Sequence, residues 1–138
     1  MFDGKTIVIT GASSGLGAAL ASVMAGEGAH LALMGRDARK LGSVAENCRS
    51  SGAGVVEVAG DVVDRGDCER LLAAALEEFG TIDYLVLNAG VSMWSRFEDV
   101  EDPEIFSKIM DTNYLGVVHC VYHGLDALKK SGGLVVAV

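Results

Sequence analysis

The segment Thr6–Gly17 reads T-I-V-I-T-G-A-S-S-G-L-G, an apolar run stopped by Thr10-Gly11 and followed by two further glycines, Gly15 and Gly17. An alanine-rich helical pattern begins there. A strand, a glycine turn and a helix N-terminus in that order make a seat for a pyrophosphate. Glycine lets the backbone approach the ligand, and the free N–H groups and positive end of the helix dipole attract the anion. The spacing is G-x3-G-x-G rather than G-x-G-x-x-G, and its place between strand and helix points to a dinucleotide. A tight strand–helix turn with no ligand is the alternative. Ser13 and Ser14 in the same turn could simply cap the helix.

Other residues could contribute chemistry further along. Arg36 follows the second apolar run. An acid at that point would hydrogen-bond a ribose 2′-hydroxyl, as for NAD, whereas an arginine can hold a 2′-phosphate and stack on adenine. Asp37, about 20 residues past the glycines, competes for the ribose role. NADP is therefore preferred over NAD. Asn113 stands inside a long helical pattern, where Asn is a poor choice and needs a reason. An exposed helical Asn is the bland alternative. His119 and His123 lie four apart with Cys120 between them. That spacing suits zinc, but a third ligand and a general-base Glu are missing, so no metal is expected.

These residues need a scaffold, and the chain supplies an alternating one. Short apolar strands are expected at Ile7–Ile9, Leu31–Met34, Val55–Ala59, Tyr84–Leu87 and Leu134–Val138. Helices are expected at Gly15–Gly28, Ala38–Ser50 and Gly66–Phe79, with a long one from Pro103 to about Lys130. In the first helix Leu16, Leu20, Val23 and Met24 share a face. In the second the inner face is Leu41, Val44 and Cys48. In the third, capped by Asp64, it is Leu71, Leu72, Ala75, Leu76 and Phe79. A loop over Val91–Val100 carries Met93, Trp94 and Phe97, and Gly132-Gly133 stops the long helix. The order β1-α-β2-α-β3-α-β4-α-β5 specifies an α/β fold. It is a doubly wound parallel sheet of Rossmann type, one domain over residues 1–138, with ligand at the carboxyl ends of the strands.

Bulk properties exclude several classes. With 138 residues, half of them hydrophobic, the chain can form one globular core. A net charge of −8 argues against nucleic acid but not against an anionic cofactor, which responds to the local field. Three scattered cysteines, Cys48, Cys68 and Cys120, without C-x-x-C, suggest reduced thiols and a cytoplasmic location. The polar start Met1–Lys5 and the lack of a membrane-length apolar run predict neither signal peptide nor membrane span.

T-G-A-S-S-G-L-G resembles the T-G-x-x-x-G-x-G cofactor motif of the short-chain dehydrogenase/reductase family. Asn88-Ala89-Gly90 resembles its N-A-G motif, and Asn113 in D-T-N-Y-L-G resembles its catalytic asparagine. The motifs keep the family's order over the whole chain. The resemblance implies cofactor contacts from Gly11, Gly15 and Gly17 and from the backbone and hydroxyls around Ser13, Ser14 and Leu16. It places Arg36 where NADP-using members keep an arginine, and Gly35 at the usual NAD-acid position. It puts Asp61 and the Val62 backbone at adenine, and Asn88, Ala89 and Gly90 beside the adenine-side ribose. Asn113 would hold a water in a proton relay. Met93, Trp94 and Phe97 fall where members place substrate-pocket residues, with core packing or subunit contact as alternatives.

The family's Ser and its Y-x-x-x-K pair would lie past Val138. Tyr84 and Tyr114 have no Lys four residues later, and Tyr122 is followed by Asp126. The fold therefore reads as C-terminally incomplete, the cofactor-binding portion of an oxidoreductase acting on an alcohol/carbonyl pair and inactive alone. A nucleotide-binding or regulatory module without chemistry, and a truncated half persisting as an oligomer, are the alternatives. Homo-oligomer contacts are expected along 103–130 and at strand 134–138, an unpaired apolar edge.

Overall fold

The structure, a computed structural model, describes residues 1–138. Five strands form one sheet: β1 (Thr6–Thr10), β2 (His30–Gly35), β3 (Val55–Ala59), β4 (Tyr84–Leu87) and β5 (Leu134–Ala137). All neighbours are parallel and their order is β3-β2-β1-β4-β5. Ile7 lies opposite Leu31 on one side and Tyr84 on the other. The chain moves outward from β1 to β3, then returns across β1 to β4 and β5. The switch point is thus the crevice between β1 and β4 at their carboxyl ends.

Strand side chains alternate across two cores. Ile7, Ile9, Leu31 and Leu33 pack with helices α1 (Gly15–Gly26) and α2 (Ala38–Ser50) on one face. Val8, Ala32, Met34 and Leu85 pack on the other face with α3 (Arg65–Phe79) and α5 (Gly116–Ser131). Burial on both faces explains why β1 is apolar at successive positions. Inward residues of α3 are those expected, with Leu71, Leu72 and Ala75 buried and Leu76 and Phe79 partly so. In α2, Leu41 and Cys48 are buried, and Ala45 lies deeper than Val44.

Two helices are more complex than their apolar patterns suggest. Helix α1 does not turn its large residues inward: Leu16 and Val23 are 61% and 58% exposed, and the buried face is Gly17, Ala21 and Ala25. Leu20 and Met24 only flank that core. Small residues let the helix axis come close to the sheet, an advantage that a count of apolar residues does not register.

The long helix expected from Pro103 is continuous from Glu104 to Ser131 but not uniform. It comprises α4 (Glu104–Met110), a π segment (Asp111–Leu115) and α5, with Pro103 just before the first. A π turn accommodates one extra residue, and such turns often mark functional sites. Here its middle residue is Asn113. At the far end Gly132 adopts φ 66°, and the Gly133 N–H bonds the Leu128 carbonyl at 2.9 Å, closing α5 as expected for the glycine pair. No helix is long and apolar enough to cross a membrane.

Strand β5 pairs with β4 on one side only, and Leu134, Val135 and Val136 are exposed. Met110 at the end of α4 and Tyr114, Val118, Tyr122 and Leu125 along the π segment and α5 are exposed as well. An apolar strand with an open edge is a template for another chain. The 138-residue chain is expected to self-associate with concentration in analytical ultracentrifugation, and Val135→Lys is expected to shift it toward monomer. A monodisperse wild-type monomer at high concentration would contradict this.

Candidate nucleotide-binding cleft

The glycine turn after β1 is held from two sides. On one side, the Ala12 N–H donates to the Met34 carbonyl at the end of β2, 2.8 Å. On the other, Asn88 at the end of β4 donates its side-chain amide to the Thr10 and Gly11 carbonyls, at 3.1 and 3.3 Å. Thr10 reciprocates: its hydroxyl oxygen accepts the Asn88 and Ala89 N–H groups, both at 3.1 Å. Thr10 is buried, so these groups have no water to fall back on.

Two glycines are required by contact. Gly11 has φ 66°, and a Cβ there would stand 2.9 Å from the Ala89 Cα. A Cβ on Gly17 would meet the Gly11 carbonyl oxygen at 2.3 Å. A side chain at Gly11 would press on the chain after β4, and one at Gly17 would push α1 off the turn. The N-cap residue of α1, Ser14, makes no capping hydrogen bond, which corrects the simple capping reading and leaves its hydroxyl to other partners.

These constraints frame a cleft of about 420 Å³, within the range of small-molecule sites. Only four of its sixteen lining residues are hydrophobic, which suits phosphates and ribose better than an apolar ligand. Nine predicted residues line it: Gly11, Ser13, Ser14, Arg36, Asp61, Val62, Asn88, Ala89 and Gly90. Gly15, Leu16 and Gly17 do not, because they begin α1 beside it. Sequence reasoning missed Met34, Lys40, Gly60, Val91 and Thr112. Lys40 was legible in principle, one helical turn past the end of β2. Gly60 and Met34 are there only because strands end at that level.

The acids on the rim have distinct employments. Asp37 caps α2, its carboxylate accepting the Lys40 N–H at 3.0 Å, and this bond is the first cause of its lowered pKa. Asp61 accepts the Val63 N–H at 3.1 Å and faces Arg36 at 3.9 Å. Asp64 caps α3 as expected, accepting the Gly66 N–H at 2.7 Å. Asp67 accepts the Asp61 N–H at 2.8 Å and pairs with Arg70. The hydrogen bond from the Asp61 N–H, ahead of Arg70, holds its carboxyl below the usual range.

Val62 is fixed from behind. His119 Nδ1 lies 3.0 Å from its carbonyl, which also accepts the Cys68 thiol at 3.5 Å. Gly116 makes room for its side chain, since a Cβ there would sit 2.6 Å from Val62 Cγ2. His123 instead accepts from Arg65 Nε at 3.4 Å. The two histidines therefore serve different partners. Cys120, buried beside Cys68, has its thiol pKa pushed far up, first by their hydrogen bond and then by burial.

Asn113 is not an idle helical amide. Its Oδ1 accepts the Val91 N–H and its Nδ2 donates to the Val91 carbonyl, both at 2.8 Å. This pair of bonds ties the π segment to the loop after Gly90. Trp94 and Phe97 point away, 99% and 82% exposed, so they are not core packing and do not line the cleft.

The family model described as short chain dehydrogenase matches residues 5–138. The chain belongs to the short-chain dehydrogenase family. Among its relatives, 11-beta-hydroxysteroid dehydrogenase 1A of Arabidopsis thaliana is 42% identical over 136 residues, covering 98% of this chain and 39% of the relative. The 11-beta-hydroxysteroid dehydrogenase-like 3 of the same plant is 39% identical, with 97% and 44% covered. The chain thus spans less than half the length of these curated relatives. Among solved structures, an alcohol dehydrogenase from Thermococcus sibiricus complexed with 5-hydroxy-NADP superposes with a TM-score of 0.89. It is 37% identical, over 95% of this chain and 56% of that one. A short chain dehydrogenase/reductase from Burkholderia phymatum in complex with NAD gives 0.85 at 35% identity, covering 91% and 44%. Both kinds of nicotinamide dinucleotide thus occur on this fold.

Two measurements check the site's framework. Asn88→Ala removes the donor to Thr10 and Gly11 and should cost about 1–3 kcal/mol in urea unfolding. Asp67, its pKa lowered on folding, stabilises the chain above its unfolded value near 3.8, and that stability is lost as pH falls through the lower folded value. Unfolding of Asp67→Asn should therefore depend less on pH in that acid window than wild type. An unchanged acid profile would show that Asp67 is not coupled to folding.

Proposed function

We propose that this chain is the NADP-binding portion of a short-chain dehydrogenase/reductase acting on an alcohol/carbonyl pair. The observation that carries the cofactor choice is the condition of the three residues ending β2. Gly35 has no side chain to offer a ribose. Asp37 has an oxygen committed to the Lys40 N–H. Arg36 lines the cleft with its side chain 71% exposed and only a long, 3.9 Å pairing to Asp61. That leaves a cation, not an acid, free to meet the adenosine ribose, which favours a 2′-phosphate.

The remaining residues fit the rest of a dinucleotide. The Gly11–Gly17 turn and Ser13 and Ser14 would take the pyrophosphate at the α1 N-terminus. Asp61 and Val62 would meet adenine, and Asn88, Ala89 and Gly90 the adjoining ribose. Bound there, the nicotinamide would supply or accept the hydride, and the protein would orient it. Asn113 belongs to the proton relay in this reading. Its amide is spent on Val91, so a relay water would be held by backbone of the π segment rather than by that side chain.

None of the three tyrosines lines the cleft. General acid chemistry on a carbonyl needs a donor within hydrogen-bond reach. The 138-residue chain is accordingly read as binding cofactor without turnover, and the whole protein as the enzyme on a small alcohol or carbonyl. The same observation favours, as second reading, a nucleotide-binding module without chemistry. The three free, buried cysteines suit a cytoplasmic protein, and the exposed π segment and α5 suit a homo-oligomer.

Isothermal titration calorimetry of the chain with NADPH and NADH tests the cofactor. NADPH is expected to bind at least about tenfold tighter, a margin of one charge-assisted contact. Arg36→Leu should erase that preference. Equal affinities, or tighter NADH, would overturn it. Reductase activity in the 138-residue chain would overturn the binding-only reading.

A further inference from the structure

Lys40 is the one additional cation in the cleft, and the family motifs do not account for it. It lies in the first turn of α2, whose backbone there is fixed by the Asp37 carboxylate. Its Nζ stands 4.0 Å from Asp37 Oδ2, while Arg36 Nη1 stands 3.9 Å from Asp61 Oδ2. Neither distance is a hydrogen bond, and both cations are more than half exposed, at 58% and 71% of the side chain. Each pairing is weak enough to be exchanged for a better anion.

The surroundings say where such an anion would sit. Gly35 precedes Arg36 in the lining, and a Cβ there would press on Ser13 Cβ at 2.8 Å. The end of β2 is therefore flush with the glycine turn, and Arg36 and Lys40 line the same cleft. Arg36 offers a planar fork and Lys40 a mobile point charge, a complementary pair for a dianionic monoester. The charged lining residues are Arg36, Lys40, Asp37 and Asp61. The acids balance the cations while no phosphate is present, which keeps the site from holding a lone cationic patch.

We propose that Lys40 is a second specificity-determining residue, gripping with Arg36 the phosphate monoester on the adenosine ribose. This rests on the NADP reading, and the experiment separates the two. NADPH, NADH, 2′,5′-ADP and ADP are titrated calorimetrically into wild type, Lys40→Gln, Lys40→Arg and the distant surface control Lys108→Gln. Thermal midpoints check that each variant folds.

Lys40→Gln is expected to weaken NADPH and 2′,5′-ADP by about tenfold. NADH and ADP should stay within about twofold, as should every ligand on Lys40→Arg and Lys108→Gln. A wild type without NADPH preference overturns the NADP reading and this inference with it, as does binding of neither dinucleotide. A wild type that prefers NADPH while Lys40→Gln binds it unchanged overturns the role of Lys40 alone. Equal weakening of NADPH and NADH by Lys40→Gln also overturns it, because the lysine would then act on a part common to both.

Discussion

The exchange of hydrogen bonds between Thr10 and Asn88 is the constraint on which the rest of the site depends. It joins the carboxyl ends of β1 and β4 at the point where the sheet's strand order reverses. A switch point is a crevice by topology, because successive helices leave in opposite directions from it. A crevice alone has no fixed width. Here a buried threonine hydroxyl takes two N–H groups and one asparagine amide takes two carbonyls. Leaving any of these polar groups unpaired would be costly, so the spacing is narrowly set. The same amide lies against both Gly11 and Gly17, so the node also positions the start of α1.

The lining of the cleft is placed from this node outward. The glycine turn hangs between Asn88 and the Met34 carbonyl, which puts Ser13 against Gly35 and brings the end of β2 into the same cleft. Asp67 fixes the Asp61 backbone, and His119, Cys68 and Gly116 fix Val62 from the opposite face. Asn113 then ties the π segment to Val91 with both ends of its amide. The pattern is consistent: side chains behind the cleft are spent on backbone, and those left with weak partners, Arg36 and Lys40, stand on its rim.

Much of this was legible beforehand, for physical reasons that can be named. The period of the apolar runs and the glycine breaks gave the alternating order, because a doubly covered parallel strand has few other signatures. Asp64 announced the start of α3 by its residue type and place. The buried face of α1 is not marked by its large apolar residues, because close approach to the sheet favours Gly17, Ala21 and Ala25 over leucine and valine. The π turn in the long helix was hidden because one extra residue in a turn leaves no compositional mark. Asn113, a poor helix former, was the only hint.

The sequence by itself determined the fold class, the location of the candidate cleft and the family, since these follow from local periodicity and from motifs contiguous in the chain. Only the tertiary structure decided which polar side chains are free. Asp37 and Arg36 are adjacent, and residue type alone left both as candidates for the ribose. Their difference arises from partners: the Asp37 carboxylate closes the first turn of α2, whereas Arg36 meets only a distant acid from the turn after β3. A hydrogen bond already made inside the protein is unavailable to a ligand, and which bonds are made depends on how the elements meet.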